Sequence, residues 1–127
     1  GTALAFEGKS NWVRVPASKA LDGVATTNQF TVSAWVNARS FPSGSATVVS
    51  RQEGSSSREH FALTFEGGRL HLKLNTHQPG ISSCGAAAVS PTGSWIHVAG
   101  TFDGRVGTQI LGGGADLLFE VERGFAG

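Results

Sequence analysis

Residues His60 to Asn75 read HFALTFEGGRLHLKLN, and this stretch decides the fold class. Its two arms, HFALTF and RLHLKLN, flank Glu66-Gly67-Gly68 and both alternate. Phe61, Leu63 and Phe65 fall on one face, as do Leu70, Leu72 and Leu74, while Ala62, Thr64, His71 and Lys73 fall on the other. A period of two belongs to strands, whose successive side chains point to opposite sides. The paired glycines supply the positive φ angles that a tight hairpin turn needs. The stretch predicts an antiparallel hairpin with one face toward a core and one toward solvent.

Working outward, FTVSAWVNA (Phe30 to Ala38) is the strongest single strand, rich in β-branched and aromatic residues that suit a pleated surface. Val32, Ala34 and Val36 share one face; Thr31, Ser33 and Trp35 share the other. A short strand is expected from Thr47 to Arg51, followed by the polar loop QEGSSSRE. Toward the N-terminus, LAFEGKSNWVRVP holds two strand candidates, Ala3–Phe6 and Trp12–Val15, around a Gly-Lys-Ser-Asn turn. Pro16 closes the second, because proline has no N–H to donate to a ladder. ASKALDGVAT reads as a loop punctuated by Asp22-Gly23, and THQPGISSCGAAAVSPTG as a long connection of small residues. A last strand runs from Trp95, with Ile96, Val98, Gly100 and Phe102 alternating against Trp95, His97, Ala99 and Thr101 until the Asp103-Gly104 turn. Many short strands without a convincing helix predict an all-β chain, an antiparallel two-sheet β-sandwich.

The totals agree with that class. At 127 residues the chain has the length of one domain and can bury a real core. Its 18 glycines are about twice the usual ~7% share, as tight turns between short strands require. A net charge of +1 gives no electrostatic reason to expect nucleic acid or an anionic membrane as partner. Cys84 is the single cysteine, which excludes an internal disulfide and leaves no zinc spacing. Its expected role is that of a small buried apolar residue, with a reactive thiol or an intermolecular bridge as alternatives. No apolar run is long enough for a bilayer span, and no charged-then-apolar leader is present. The chain has no methionine, so it is expected to be a processed product or a piece of something longer.

PTGSWIHVAGTFDG (Pro91 to Gly104) places Trp95, His97 and Asp103 close together in sequence. Trp95 and His97 are neighbours on one strand face, but Asp103 lies six residues beyond His97, about 20 Å along an extended strand. No serine or cysteine is evidently paired with His97, so a nucleophile–base arrangement has no support. The expectation is scaffold: a core Trp beside a hydrogen-bonded His, with Asp103 opening a turn.

Taken together, ALAFEG, NWVRVP, FTVSAWVN, FALTFEGGRLHLKLN and PTGSWIHVAGTFDG resemble the laminin-G-like domains of the concanavalin A-like lectin and glucanase superfamily. The likeness runs from Ala3 to about Gly104. It implies a two-sheet jelly roll, commonly attached to secreted or cell-surface proteins, that binds glycans or other proteins, often with calcium. After TFDG the text RVGTQILGGGADLLFEVERGFAG departs from the family's usual Tyr-Val-Asn-Gly strand. Replacement of the remainder, a changed reading frame after Gly104 and a divergent closure all stay open. The expected division is a sandwich core over 1–104 and an altered segment over 105–127, incomplete at the C-terminus. An open sheet edge and an uncovered apolar face would then favour self-association.

Glycan binding calls for an aromatic plate and nearby polar side chains. The candidates are Trp12, Arg51, His60, His71, Lys73, Asn75 and His77, with Gln78 beside them. Calcium takes six to eight oxygens, and the candidate ligands are Asp22 and Asp103, with Glu7 and Asn11 at neighbouring turns. The four histidines His60, His71, His77 and His97 are scattered and lack cysteine partners, which disfavours zinc. Glycoside hydrolysis needs two carboxylates across the scissile bond; FEVER offers Glu120 and Glu122 on one strand face, with neither Trp nor Asp beside them. The functional expectation is a non-catalytic carbohydrate-binding module of a larger extracellular or cell-surface protein. An adhesive module contacting another protein is the alternative, and a glycoside hydrolase fragment the more remote one.

Overall fold

A computed structural model of the chain describes residues 1–21, 29–52, 59–75, 81–85, 89–104, 106–111 and 114–120, with backbone alone at 52, 59, 60, 75, 81–85, 106, 109 and 114–120. Among these residues lie eight strands in two four-stranded antiparallel sheets. Sheet A has the order β1 (Phe30–Val36), β6 (Ile96–Phe102), β7 (Val106–Leu111) and β8 (Gly114–Glu120). Sheet B has the order β2 (Ser45–Gln52), β3 (Glu59–Glu66), β4 (Arg69–Asn75) and β5 (Ile81–Gly85).

The hairpin read from the sequence is β3–β4. Glu66 pairs with Arg69 across a two-residue turn in which Gly67 and Gly68 have φ of 57° and 77°. Positive φ at both central positions matches the right-handed twist of the flanking strands. A side chain at Gly68 would also meet Val89 and Phe41, and its carbonyl accepts from the Ser90 amide at 2.8 Å. The turn thereby ties the later connection to sheet B.

The facing sides of the two sheets make the core. Leu63, Phe65 and Leu70 of sheet B pack with Val98 of sheet A, joined by Val32, Ala34, Val36 and Leu111. Farther along, Leu72 and Leu74 meet Phe102, with Phe30 stacked on Phe61 at 4.7 Å between ring centroids. Burying each of these large side chains contributes about 1.5–3 kcal/mol. In β2 the register slips between Thr47 and Val49. This bulge lets both Val48 and Val49 pack against the core. Cys84 pairs in register with Leu72.

Three readings need correction. Residues 1–18 contain no strand, and Leu4, Phe6, Trp12, Val13 and Val15 are exposed. Their alternation is a local property, whereas a strand exists only where a neighbour supplies backbone partners; among the described residues β1 pairs only with β6 at its end of sheet A. Residues 19–21 form one helical turn where a loop was expected, capped by the Ser18 hydroxyl accepting from the Leu21 amide. The connection of small residues contains β5, whose Ile-Ser-Ser-Cys-Gly sequence has weak strand character but whose backbone pairs along β4. The segment after Gly104 supplies β7 and β8, which extend sheet A beyond β6.

Candidate functional site

Because the core sides of the sheets face each other, each sheet turns a second face outward. On sheet A that face follows from the strand period. Val32, Ala34 and Val36 point inward, so Thr31, Ser33 and Trp35 point out. Cross-strand partners share a face, and the register is Trp35 with His97, Ser33 with Ala99, and Thr31 with Thr101. The rows continue into β7, where Ala99 pairs with Ile110 and Thr101 with Thr108.

At one end of this face Trp35 is 67% exposed, with its ring 5.3 Å from His97 and tilted by 56°. The imidazole braces one side of an indole whose remaining surface is open to solvent. At the other end Thr31, Thr101 and Thr108 form a row across three strands and line a shallow groove of about 430 Å³ with Gln29, Phe30, Phe102 and Asp103. The Gln29 side-chain amide donates to the Asp103 carbonyl at 3.1 Å, fastening the start of β1 to the end of β6. Between the two ends lie the exposed Ser33 and the buried Ala99, the latter paired with Ile110 of β7.

Trp95 is 53% exposed and precedes β6, so it is not the core residue expected. The partner of His97 is Trp35, which the strand pattern assigned to the correct face but which sequence reading did not single out. An outward Trp opposite an outward His could have been found only by pairing β1 with β6, a relation separated by some sixty residues of chain.

The outer face of sheet B differs. At its hairpin end the Glu66 carboxylate accepts from the Lys73 ammonium, while His71 Nδ1 lies 3.7 Å from Glu66 Oε2. The Lys73 hydrogen bond holds Glu66 below its ordinary carboxylate pKa; partial burial opposes this, and the charges of Lys73 and His71 reinforce it. Lys73 is thus half-buried and engaged with Glu66, His71 is half-buried beside it with its Nδ1 lacking a hydrogen-bond partner among the described residues, and Thr64 is buried. Glu66 was not among the expected site residues, although its place at the hairpin turn puts it beside both.

The other expected residues are dispersed. Trp12 is 72% exposed on the N-terminal segment. The Arg51 guanidinium donates to the Leu21 carbonyl, so it tethers that segment to β2. His60 and Asn75 lie on β3 and β4, and their side chains, with all of Asp22, His77, Gln78 and Glu122, fall outside the described residues. Asp103 is exposed at the end of β6. The Asn11 side chain accepts from the Glu7 amide at 2.9 Å, an ordinary turn contact. Glu120 ends β8 opposite Val106. Among the described residues no three His, Cys, Asp or Glu side chains converge, so the donors in view make an incomplete set for calcium.

A search of curated proteins returns no match. Residues 7–113 match a laminin G family described as belonging to the concanavalin A-like lectin/glucanases superfamily. The match extends past Gly104 through β7. The chain belongs to this laminin-G-like family of jelly-roll β-sandwiches, a lectin-like or protein-interaction module.

Proposed function

We propose that the chain is a non-catalytic carbohydrate-binding module and that the outer face of sheet A is its ligand surface. One observation carries this reading: a large aromatic side chain, Trp35, stands 67% exposed on a regular strand, held by His97. An open indole face stacks on the apolar face of a sugar ring, and flanking hydroxyls take up its polar groups. Ser33, Thr31, Thr101 and Thr108 stand on that same face. Hydrolysis would require paired carboxylates, and among the residues lining the groove Asp103 is the sole carboxylate. The setting proposed is extracellular or at the cell surface, within a larger protein. Among the described residues no helix is long and apolar enough to cross a membrane.

The test is a glycan array probed with the intact chain, Trp35→Ala and Trp12→Ala. The reading expects saturable binding by the chain and by Trp12→Ala, lost in Trp35→Ala. Binding lost only in Trp12→Ala would move the site to the N-terminal segment. A calcium ion at Asp103, with Asp22, is a further part of the proposal, read as a melting temperature raised by calcium and returned by chelator, with no rise in Asp103→Asn.

A second reading, an adhesive module, is favoured by the exposed Leu4, Phe6, Trp12, Val13 and Val15. An apolar surface of that kind marks a contact site, and the edges of β1 and β5, unpaired among the described residues, are where a partner's strand would add. Sedimentation at rising concentration tests it: self-association abolished by Phe6→Ser with Val13→Ser would support contact through this segment.

A further inference from the structure

We infer that the ligand of the sheet A face is an uncharged oligosaccharide long enough to run along the strands from Trp35 to the threonine row. This rests on the carbohydrate-binding reading above and narrows it to a ligand class. Two features of the face carry it.

The first is charge. Thr31, Ser33, Trp35, His97, Ala99, Thr101, Thr108 and Ile110 include no lysine, arginine, aspartate or glutamate. The one formal charge among the groove-lining residues is Asp103, which is negative. Recognition of a sulfated or carboxylated glycan runs through arginine and lysine, whose charge-assisted hydrogen bonds match such groups. This face offers none among its described side chains. Basic groups stand elsewhere: Lys73 is ion-paired on the outer face of sheet B, and Arg51 reaches the N-terminal segment.

The second is length. Trp35 and Thr31 are four residues apart on β1, about 13 Å along the strand. The threonine row crosses three strands spaced about 4.8 Å apart. Ser33 and Ala99 lie between the ends on the same face, with Ile110 beside Ala99. A single sugar stacked on Trp35 would leave the threonine hydroxyls and the groove unused. A chain of several sugars covers both, stacking at one end and exchanging hydroxyl hydrogen bonds at the other.

The experiment is calorimetric titration of the intact 127-residue chain with two sets of defined oligomers. One is neutral (glucan, mannan, xylan and chitin oligosaccharides of increasing length) and the other acidic (heparin and polyuronate fragments). Each is measured at ionic strengths of about 0.01 M and about 1 M, between which the screening length falls from about 30 Å to about 3 Å. The inference expects a neutral series to bind, to tighten with length beyond the monosaccharide, and to be indifferent to salt. Trp35→Ala should weaken it about tenfold, and Thr101→Val should weaken the longer oligomers while leaving the shortest binder unchanged. Thermal melts of both variants check that each is folded. Binding confined to acidic oligomers and fading with salt, still lost in Trp35→Ala, would overturn the ligand class while leaving the carbohydrate site. Silence of a folded chain toward both sets would overturn the carbohydrate reading itself.

Discussion

Gly100 and Leu72 approach so closely across the sandwich that a Cβ on Gly100 would lie 2.8 Å from Leu72 Cδ1 and 3.3 Å from Leu63 Cδ1. Gly100 is on β6 and the two leucines are on β4 and β3, so the missing side chain makes room for them across the core. Both leucines are fully buried, and their tips have little room to retreat. Gly100→Val is therefore expected to overpack the core and destabilise it by about 2 kcal/mol, a fall of about 5–10 °C in melting temperature. An unchanged melt would mean that the sheets do not meet at this register.

Leucines in the core and on the N-terminal segment should respond to truncation by very different amounts. Leu72 is 0% exposed and Leu4 is 71% exposed. Leu72→Ala removes buried methyl groups and leaves a cavity, at a cost of about 2–5 kcal/mol. Leu4→Ala touches little and should stay within about 0.5 kcal/mol. Denaturant midpoints of the two variants provide the comparison. A large loss from Leu4→Ala would mean that the N-terminal segment is docked in solution.

Tryptophan emission checks the same question without a variant. Trp12, Trp35 and Trp95, the chain's three indoles, are all more than half exposed. The native protein should therefore emit near the wavelength of its unfolded form, and acrylamide should quench most of the signal. A saturating glycan should protect Trp35 from quenching, an effect absent in Trp35→Phe. A strongly blue-shifted native spectrum would contradict the exposure of at least one of the three.

Where the sequence was legible, the reason is physical. The β3–β4 hairpin combines alternation, a Gly-Gly turn and short separation, so its pairing follows from local chemistry. The pattern of β1 and β6 assigns each residue to a face correctly, yet does not say that the strands are neighbours. Trp35 acquires meaning only once it stands beside His97. Ala3–Phe6 and Trp12–Val15 fail for the complementary reason: alternation without a backbone partner does not make a strand. In β5 the partner is present and the sequence signal is missing, because serine, cysteine and glycine contribute little strand preference of their own. His71 and Lys73 read as free solvent-side groups until Glu66 is seen between them.

That carboxylate gives the pH dependence a definite sign. Glu66 has its folded pKa lowered from 4.5, chiefly by the hydrogen bond from Lys73, with the charges of Lys73 and His71 and a long contact to Ser45 Oγ adding to it and burial opposing it. A carboxylate depressed in the folded state binds fewer protons there than when unfolded. Its stabilisation is fully present above pH 4.5 and is lost as pH falls from there through the lowered folded value. Because the pair is open to solvent on one side, the contribution is held to about 1 kcal/mol or less. Melting temperatures across the acid range should show the intact chain above Glu66→Gln at neutral pH, the gap closing below pH 4.5. Lys73→Ala should narrow the same gap, since it removes the largest cause of the shift. Curves of the chain and Glu66→Gln that stay parallel down to low pH would show that the Glu66–Lys73 contact contributes nothing to folding.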